Sequence, residues 1–531
     1  MFHQILTPVG GSLLLSALVA AIPVLVVLLM LGALQRPAWQ ASGAGLLTGL
    51  LLAVFVWGFP AGMALDAAAA GAIFALWPVM WIVFSALLLY NIAVQSGRFA
   101  AFRDWVFANL PDDRRVVLIV IGFCFGALLE GISGFGTPIA ITSSLLIMTG
   151  WPAIEALTFT LIFNTAPVAF GALGVPITVL GKVTSLNPDT LAAMVGRQLP
   201  FFALLLPFYV MAVFGGRRSV AALWPLLLVA GGSFAVAQFL TSNYGDYQLT
   251  DVFSSLGALL VTILFLRVWR PAPDAAYVMT RPAAEAPRGF SHWQGWLPWL
   301  VVSAVVIVWT HFKVFAFGQH DVHWPGLDKQ VFITLYGKAY PLVWSFQPLA
   351  SGTAILVAAL LTAAILGVGP AGILTCLRRT ARQIWLAALT VSLIIGLAYL
   401  MNYAGLTYTL GAGAASLGLA FPLASAFLGW VAVMLSGSDT SGNALFGNLQ
   451  VVAAHQLNLN PVLFAATNSS GGVMGKMISP QNIATGVSVT DLKGQEGRVF
   501  ARTFKHSVFL TLLLAVLVVL QQYVVPGMIP K

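Results

Sequence analysis

Two short strings put an acid where an apolar chain can least accommodate one. In "LLEGISGFGTP" Glu130 stands just before Ser133-Gly134, and in "LSGSDTSGNAL" Asp439 stands just before Ser441-Gly442. An acid at the centre of a membrane span costs roughly 2.5–3.5 kcal/mol on insertion scales. A bound proton removes that charge, so Glu130 and Asp439 are candidates for proton coupling. The competing reading is a carboxylate hydrogen-bonded to hairpin backbone as a structural cap. For Asp439, the neighbours Ser438, Thr440 and Ser441 could also stabilise the charged form.

The residues around the acids suit a small anion. Ser133, Gly134, Gly136 and Thr137 in the first string, and Thr440, Ser441, Gly442 and Asn443 in the second, could offer hydroxyls and backbone N–H groups. Downstream, "NTAPVAFGALGVP" (164–176) supplies Asn164 and Thr165, and "NSSGGVMGKMISP" (468–480) supplies Asn468, Ser469, Ser470 and Lys476. These polar groups, with Gln481 and Asn482, could bind a substrate hydroxyl or carboxylate, or only satisfy freed backbone. Lys476 could pair with a substrate carboxylate, with Glu130 or with Asp439; its alternative is snorkelling to the interface. Glu155, one turn into a helix, reads as ordinary dipole dressing, and His455, near a hairpin end, is a weaker candidate for a proton shuttle. Asn91, Tyr399, Asn402 and Tyr403 read as helix-packing contacts.

Enzyme chemistry finds no support. "GAGAASLG" (411–418) lacks the third glycine of a dinucleotide fingerprint, and there is no Walker lysine, HExxH or GxSxG. Cys124 and Cys376 have no partner spacing. No cofactor and no metal are expected, and an ion gradient is the expected energy source.

The elements that must position these residues follow from composition. Of 531 residues, 59% are hydrophobic and 8% charged, against about 25% charged in soluble domains, so the lipid bilayer must be the solvent. The net charge of +9 points to no nucleic acid, because the basic residues sit in loops. Twelve apolar runs are long enough to span: 12–34, 40–58, 67–95, 152–172, 198–214, 220–241, 249–267, 296–312, 351–372, 383–402, 461–486 and 506–525. The first lacks the basic leader and short core of a signal peptide. Two further regions, 116–150 and 411–457, are interrupted by small polar residues.

Arginine and lysine gather at 97–115, 215–219, 267–292, 378–382 and 491–505. The positive-inside rule puts all five in the cytoplasm. They share a side only if 116–150 and 411–457 each return to the side they entered from. Both regions are therefore expected to be re-entrant hairpins, with both termini periplasmic. Segment 313–348 reads as an interfacial cap, 98–110 as an amphipathic surface helix, and 270–295 as a cytoplasmic linker.

The order acid, Ser-Gly, X-Pro, Asn…Gly…Pro occurs twice. It divides the chain into an N-terminal half, 1–269, with hairpin 116–150 and broken helix 152–176, and a C-terminal half, 296–531, with hairpin 411–457 and broken helix 461–486. The expected fold is an all-α polytopic membrane protein of about twelve transmembrane helices plus two re-entrant hairpins in two inverted-topology repeats. Such paired interruptions mark a midplane binding site in transporters.

"LEGISGFGTPIAI", "SGSDTSGNALFGNLQ" and "NSSGGVMGKMISPQNIATG" resemble the signatures of the bacterial L-lactate permease family, which includes glycolate permeases. The resemblance covers essentially the whole chain. It implies proton-coupled uptake of L-lactate and related 2-hydroxymonocarboxylates (D-lactate, glycolate) across the bacterial inner membrane. A sodium-coupled dicarboxylate or gluconate carrier would share the architecture, and an anion channel would lack accumulation.

Overall fold

All twelve apolar runs carry helix in the computed structural model, which describes residues 1–531 except 33, 35, 134–136, 280–291, 489, 491, 493, 494 and 531. Among the described residues, eight helices are long and apolar enough to cross a bilayer, or ten if each of two bent pairs is one span. The difference from twelve is one of segmentation. Leu199–Tyr244 holds two of the runs, folded at Gly216, whose φ of 63° suits a residue without a side chain. A Cβ on Gly231 would lie 2.9 Å from the Leu204 carbonyl, so the two arms lie side by side. Runs 296–312 and 351–372 form the 15-residue helices Leu297–His311 and Ser351–Ile365. At 1.5 Å per residue these reach about 22 Å, short of the ~30 Å hydrocarbon layer.

Both interrupted regions turn back on themselves. The first enters as buried helix over Arg114–Ile132 and returns as Thr137–Met148. Its ends meet: the Arg114 guanidinium donates to the Gly150 carbonyl at 3.0 Å, and the Trp151 indole to the Arg114 carbonyl at 3.3 Å. The second pairs Phe421–Ser436 with Asp439–Gln456 around left-handed Gly437 and Ser438. Gln450 Nε2 donates to the Ser425 carbonyl at 3.0 Å, and Ser425 Oγ donates to Gln450 Oε1. The preceding helix, Leu406–Ala415, is bent 101° from this arm, so the hairpin proper starts later than residue 411.

Three of the five basic stretches touch one another, and the other two, 378–382 and 491–505, lie against Asn91 and Glu155. Arg114 donates to the Ala276 carbonyl at 2.9 Å, Arg267 to Asn109 at 3.2 Å, and Ser219 to Tyr277 at 3.4 Å. Thr380 is bonded by Asn91 at 2.8 Å, and Arg502 pairs with Glu155 at 3.4 Å. The opposite face carries small sheets. Phe2–His3 runs parallel to Val331–Ile333, which pairs with Lys338–Tyr340, and His320–His323 pairs with Val343–Phe346. There the Leu342 N–H, 2.8 Å from Asp328, with His323 also bonded to it, holds that carboxyl below the usual aspartate range. Pro370–Ala404 links the faces, with Arg378 and Arg379 near one end and Tyr403 donating to the Pro341 carbonyl at 3.0 Å near the other.

Glycine sets the closest helix pair. Gly429 packs on the Asn468 carbonyl, Gly471 on Ala426 and Gly475 on Trp430, so Phe421–Ser436 and Pro461–Lys476 touch backbone to backbone. Gly475→Ala should lower the melting temperature of the detergent-purified protein, with a loss of about 1–3 kcal/mol from overpacking. Gly497→Ala, in open space, should leave it unchanged in the same thermal scan.

Candidate functional site

The two halves meet at an ion pair. Glu130, near the end of the first hairpin's inbound arm, receives Lys476 Nζ at 2.6 Å across 346 residues of sequence. The side chains are 3% and 7% exposed. Lys476 is the last residue of Pro461–Lys476, where the negative end of the helix dipole favours a cation. The other Glu130 oxygen accepts Asn164 Nδ2 at 2.9 Å. Asn164 closes the helix Ala153–Phe163, where the first broken helix unwinds. Beyond it Ala172, Leu173 and Gly174 take left-handed backbone (φ 45°, 58° and 74°). That conformation is disfavoured by about 1–2 kcal/mol for each non-glycine residue and persists only where surrounding structure imposes it. A Cβ on Gly171 would lie 3.0 Å from Glu130 Oε1, so glycine there leaves the carboxylate its space.

The second acid is held differently. Asp439 opens Asp439–Gln456, whose cap is Ser438, accepting the Ser441 N–H at 3.3 Å. Asp439 Oδ2 accepts Ser469 Oγ at 2.5 Å and Asn443 Nδ2 at 3.2 Å. Its Oδ1 is buried without a partner among the described residues, against the bare Cα of Gly472. Asn443 Nδ2 also lies 3.2 Å from the Pro176 carbonyl, bridging the second hairpin to the first broken helix. Behind it Asn468 donates to Asn443 Oδ1 at 2.9 Å and to the Gly442 carbonyl at 3.3 Å, and accepts Gln450 Nε2 at 2.9 Å.

The structure therefore brings Glu130, Lys476, Asn164, Asp439, Asn443, Asn468 and Ser469 into one buried polar cluster. The support of Asp439 expected from Ser438, Thr440 and Ser441 comes instead from Ser469 and Asn443, while Ser438 Oγ caps the helix. Residues one and two places along a helix face other directions, whereas the fourth lies on the same face. Thr440 lines the cavity, while Thr165 Oγ1 bonds the Ile162 carbonyl at 2.7 Å, within its own chain segment. Ser470 Oγ is buried without a partner among the described residues. Gly134 and Gly136 lie outside the described residues, as do the side chains of Ser133 and Thr137. The second broken helix continues through Asn468 and Lys476, and Pro480–Ser488 is a separate helix. Its motif glycines serve close packing rather than unwinding.

Other candidates go elsewhere. Glu155 meets Arg502 at 3.4 Å with both side chains partly exposed, and His455 packs on Tyr336 at the sheet-bearing face. Asn91 pairs with Thr380 and Gln383, and Asn402 with Asn448, as helix-packing contacts. Two charged groups escape the sequence reading. Lys182, in "GVPITVLGKV", donates to the Val343 carbonyl at 3.2 Å and lies 5.6 Å from the Phe74 ring centre. Asp251, in "QLTDVFSSLG", is fully buried. A first-turn acid heading an apolar run looks ordinary, and only the fold reveals its surroundings.

Two cavities are connected by one helix. A cavity of about 50 Å³ is lined by Glu130, Gly171, Pro176, Asp439, Thr440 and Lys476. Two and six residues beyond Pro176, Thr178 and Lys182 line a vestibule of about 690 Å³ on the sheet-bearing face, with Tyr340, Tyr399 and Asn402.

The profile of the L-lactate permease family matches residues 16–525. The sequence is 41% identical to a glycolate permease from Escherichia coli and 39% identical to an L-lactate permease from Bacillus subtilis, each over 99% of both chains. The chain belongs to the L-lactate permease family. A looser likeness is to the Alcanivorax borkumensis YdaH transporter, with 16% identity, a TM-score of 0.42, and coverage of 83% of this chain and 84% of that one.

In this family member, the ion pair makes a testable demand on stability. Lys476→Met leaves Glu130 buried beside an apolar side chain and should cost about 3–5 kcal/mol. The double variant E130Q/K476M removes both charges and should recover most of that loss. Thermal unfolding of the wild type and the variants measures the difference; equal melting of K476M and the double variant would refute the coupling.

Proposed function

We propose that this protein takes up L-lactate and related 2-hydroxymonocarboxylates, D-lactate and glycolate among them, together with protons, by alternating access. The family assignment supports the substrate class. The buried Glu130–Lys476 pair, closed at 2.6 Å, is the observation that carries the mechanism.

With no guest, Glu130 carboxylate and Lys476 ammonium neutralise each other. A substrate carboxylate alone would add an unbalanced negative charge in a site where each buried ion carries several kcal/mol of desolvation penalty. Protonating Glu130 frees the ammonium, which then pairs with the substrate carboxylate, and the site is neutral again. A proton alone would leave Lys476 uncompensated. Proton and anion therefore load together, one proton for each monovalent anion at this pair. Thr440, Gln481 and Asn482, which line the cavity beside the pair, would meet the substrate hydroxyl, and Asp439 is a second place where a proton can reside.

In this reading the halves 1–269 and 296–531 are the inverted repeats that move against each other. The arginine-bearing face is cytoplasmic by the positive-inside rule. The termini, the small sheets and the vestibule then face the periplasm, and the protein resides in the inner membrane. Lys182 would draw the anion into the vestibule from that side.

Reconstituted in liposomes, the wild type should accumulate labelled L-lactate under an inward pH gradient and not under a sodium gradient. Unlabelled D-lactate and glycolate should compete, with succinate and gluconate much weaker. Glu130→Gln should lose uphill accumulation. Accumulation driven by sodium alone, or wild-type proton-driven uptake by E130Q, would refute the proposal.

A further inference from the structure

A third acid touches the first hairpin beside the ion pair. Asp251 lies in the first turn of Thr250–Val268, fully buried, and neither carboxyl oxygen has a hydrogen-bond partner among the described residues. A Cβ on Gly131 would come 2.7 Å from the Asp251 Cβ, so the residue after Glu130 sits directly against this side chain. The charged groups whose fields reach Asp251 are Glu130 and, beyond it, Lys476, which Glu130 already neutralises. Tyr247 on the preceding turn is bonded to Thr178 at 3.0 Å. On the hairpin arm, Cys124 is associated with Thr262, far along the same helix.

A carboxylate stripped of water, with neither a cation nor a donor of its own among the described residues, carries a penalty of several kcal/mol, and the neutral acid does not. We infer that Asp251 holds a proton in this conformation and passes it to Glu130 during the transport cycle. This rests on the proton-coupled reading above. In the transfer, the O–H bond at Asp251 breaks, an O–H bond forms at a Glu130 oxygen, and Lys476 is released to the substrate carboxylate. Asp251 then regains a proton from the aqueous phase. It is a positioning and relay residue, not a substrate ligand.

The test is uptake by Asp251→Asn and Asp251→Glu in liposomes, with membrane abundance measured. D251N should keep lactate–lactate exchange, lose pH-driven accumulation by about tenfold or more, and show a flattened pH profile. D251E should restore accumulation. Wild-type accumulation and pH profile in D251N would overturn the inference and leave the proton-coupled reading intact. Absence of pH-driven accumulation in the wild type would overturn both. A second measurement does not depend on D251N folding. Infrared spectra of the wild type at neutral pH should contain a protonated-carboxyl C=O band that moves in D251E, and its absence would also overturn the inference.

Discussion

A lysine at the end of one half's helix is fixed to a glutamate in the other half's hairpin, with both side chains buried. Everything around this pair is arranged to tolerate it. The ammonium sits where the helix carbonyls are unpaired, the carboxylate takes a second hydrogen bond from Asn164, and Gly171 leaves it space. Left-handed backbone at Ala172 and Leu173 persists beside the pair because the packing there leaves no alternative. At the small cavity two contacts join the halves: Lys476 with Glu130, and Asn443 with the Pro176 carbonyl. Both run from the second half to the first.

The internal repeat is therefore structural before it is chemical. Each half supplies an acid from a hairpin and a polar partner from the helix after it, Asn164 for Glu130 and Ser469 for Asp439. Only Glu130 has a cation. Asp439 is held by neutral donors and keeps one oxygen bare among the described residues. An anionic guest that takes Lys476 changes the surroundings of Glu130 at once, while those of Asp439 change only through the shared cavity. The same fold element thus supports two acids with different electrostatic tasks.

Much of this frame was legible in the sequence because it rests on composition and on breaks. Arginine-rich loops and two interrupted apolar regions demanded hairpins, and the contacts Arg114–Gly150 and Ser425–Gln450 close them. Lys476 was legible only as one of several alternatives, since no local pattern selects a partner 346 residues away. The second broken helix, expected over 461–486, stays helical through Lys476, and Gly471 and Gly475, four residues apart, serve close helix packing. Asp251 and Lys182 were silent for a related reason. A single acid or lysine at the edge of an apolar run has an ordinary interfacial explanation until the fold puts it against a hairpin or a cavity.

In the proposed alternating-access cycle, the wall shared by the two cavities is where access would be controlled. The second half of the broken helix forms the wall of the small cavity at Pro176 and of the vestibule at Thr178 and Lys182. Asn443 holds the second hairpin to that wall at the Pro176 carbonyl. Because the same amide also touches Asp439, a change in how that carboxyl is held bears directly on the contact between hairpin and helix. Parting the second hairpin from that wall breaks this neutral hydrogen bond, worth about 0.5–1.5 kcal/mol, and also unpacks Gly447 from Leu180, Val183 and Thr184. Parting Glu130 from Lys476 without a replacement ion is several times more costly. In the proposed cycle the replacement ion is the substrate carboxylate, and the ion pair parts only when both a proton and an anion are present.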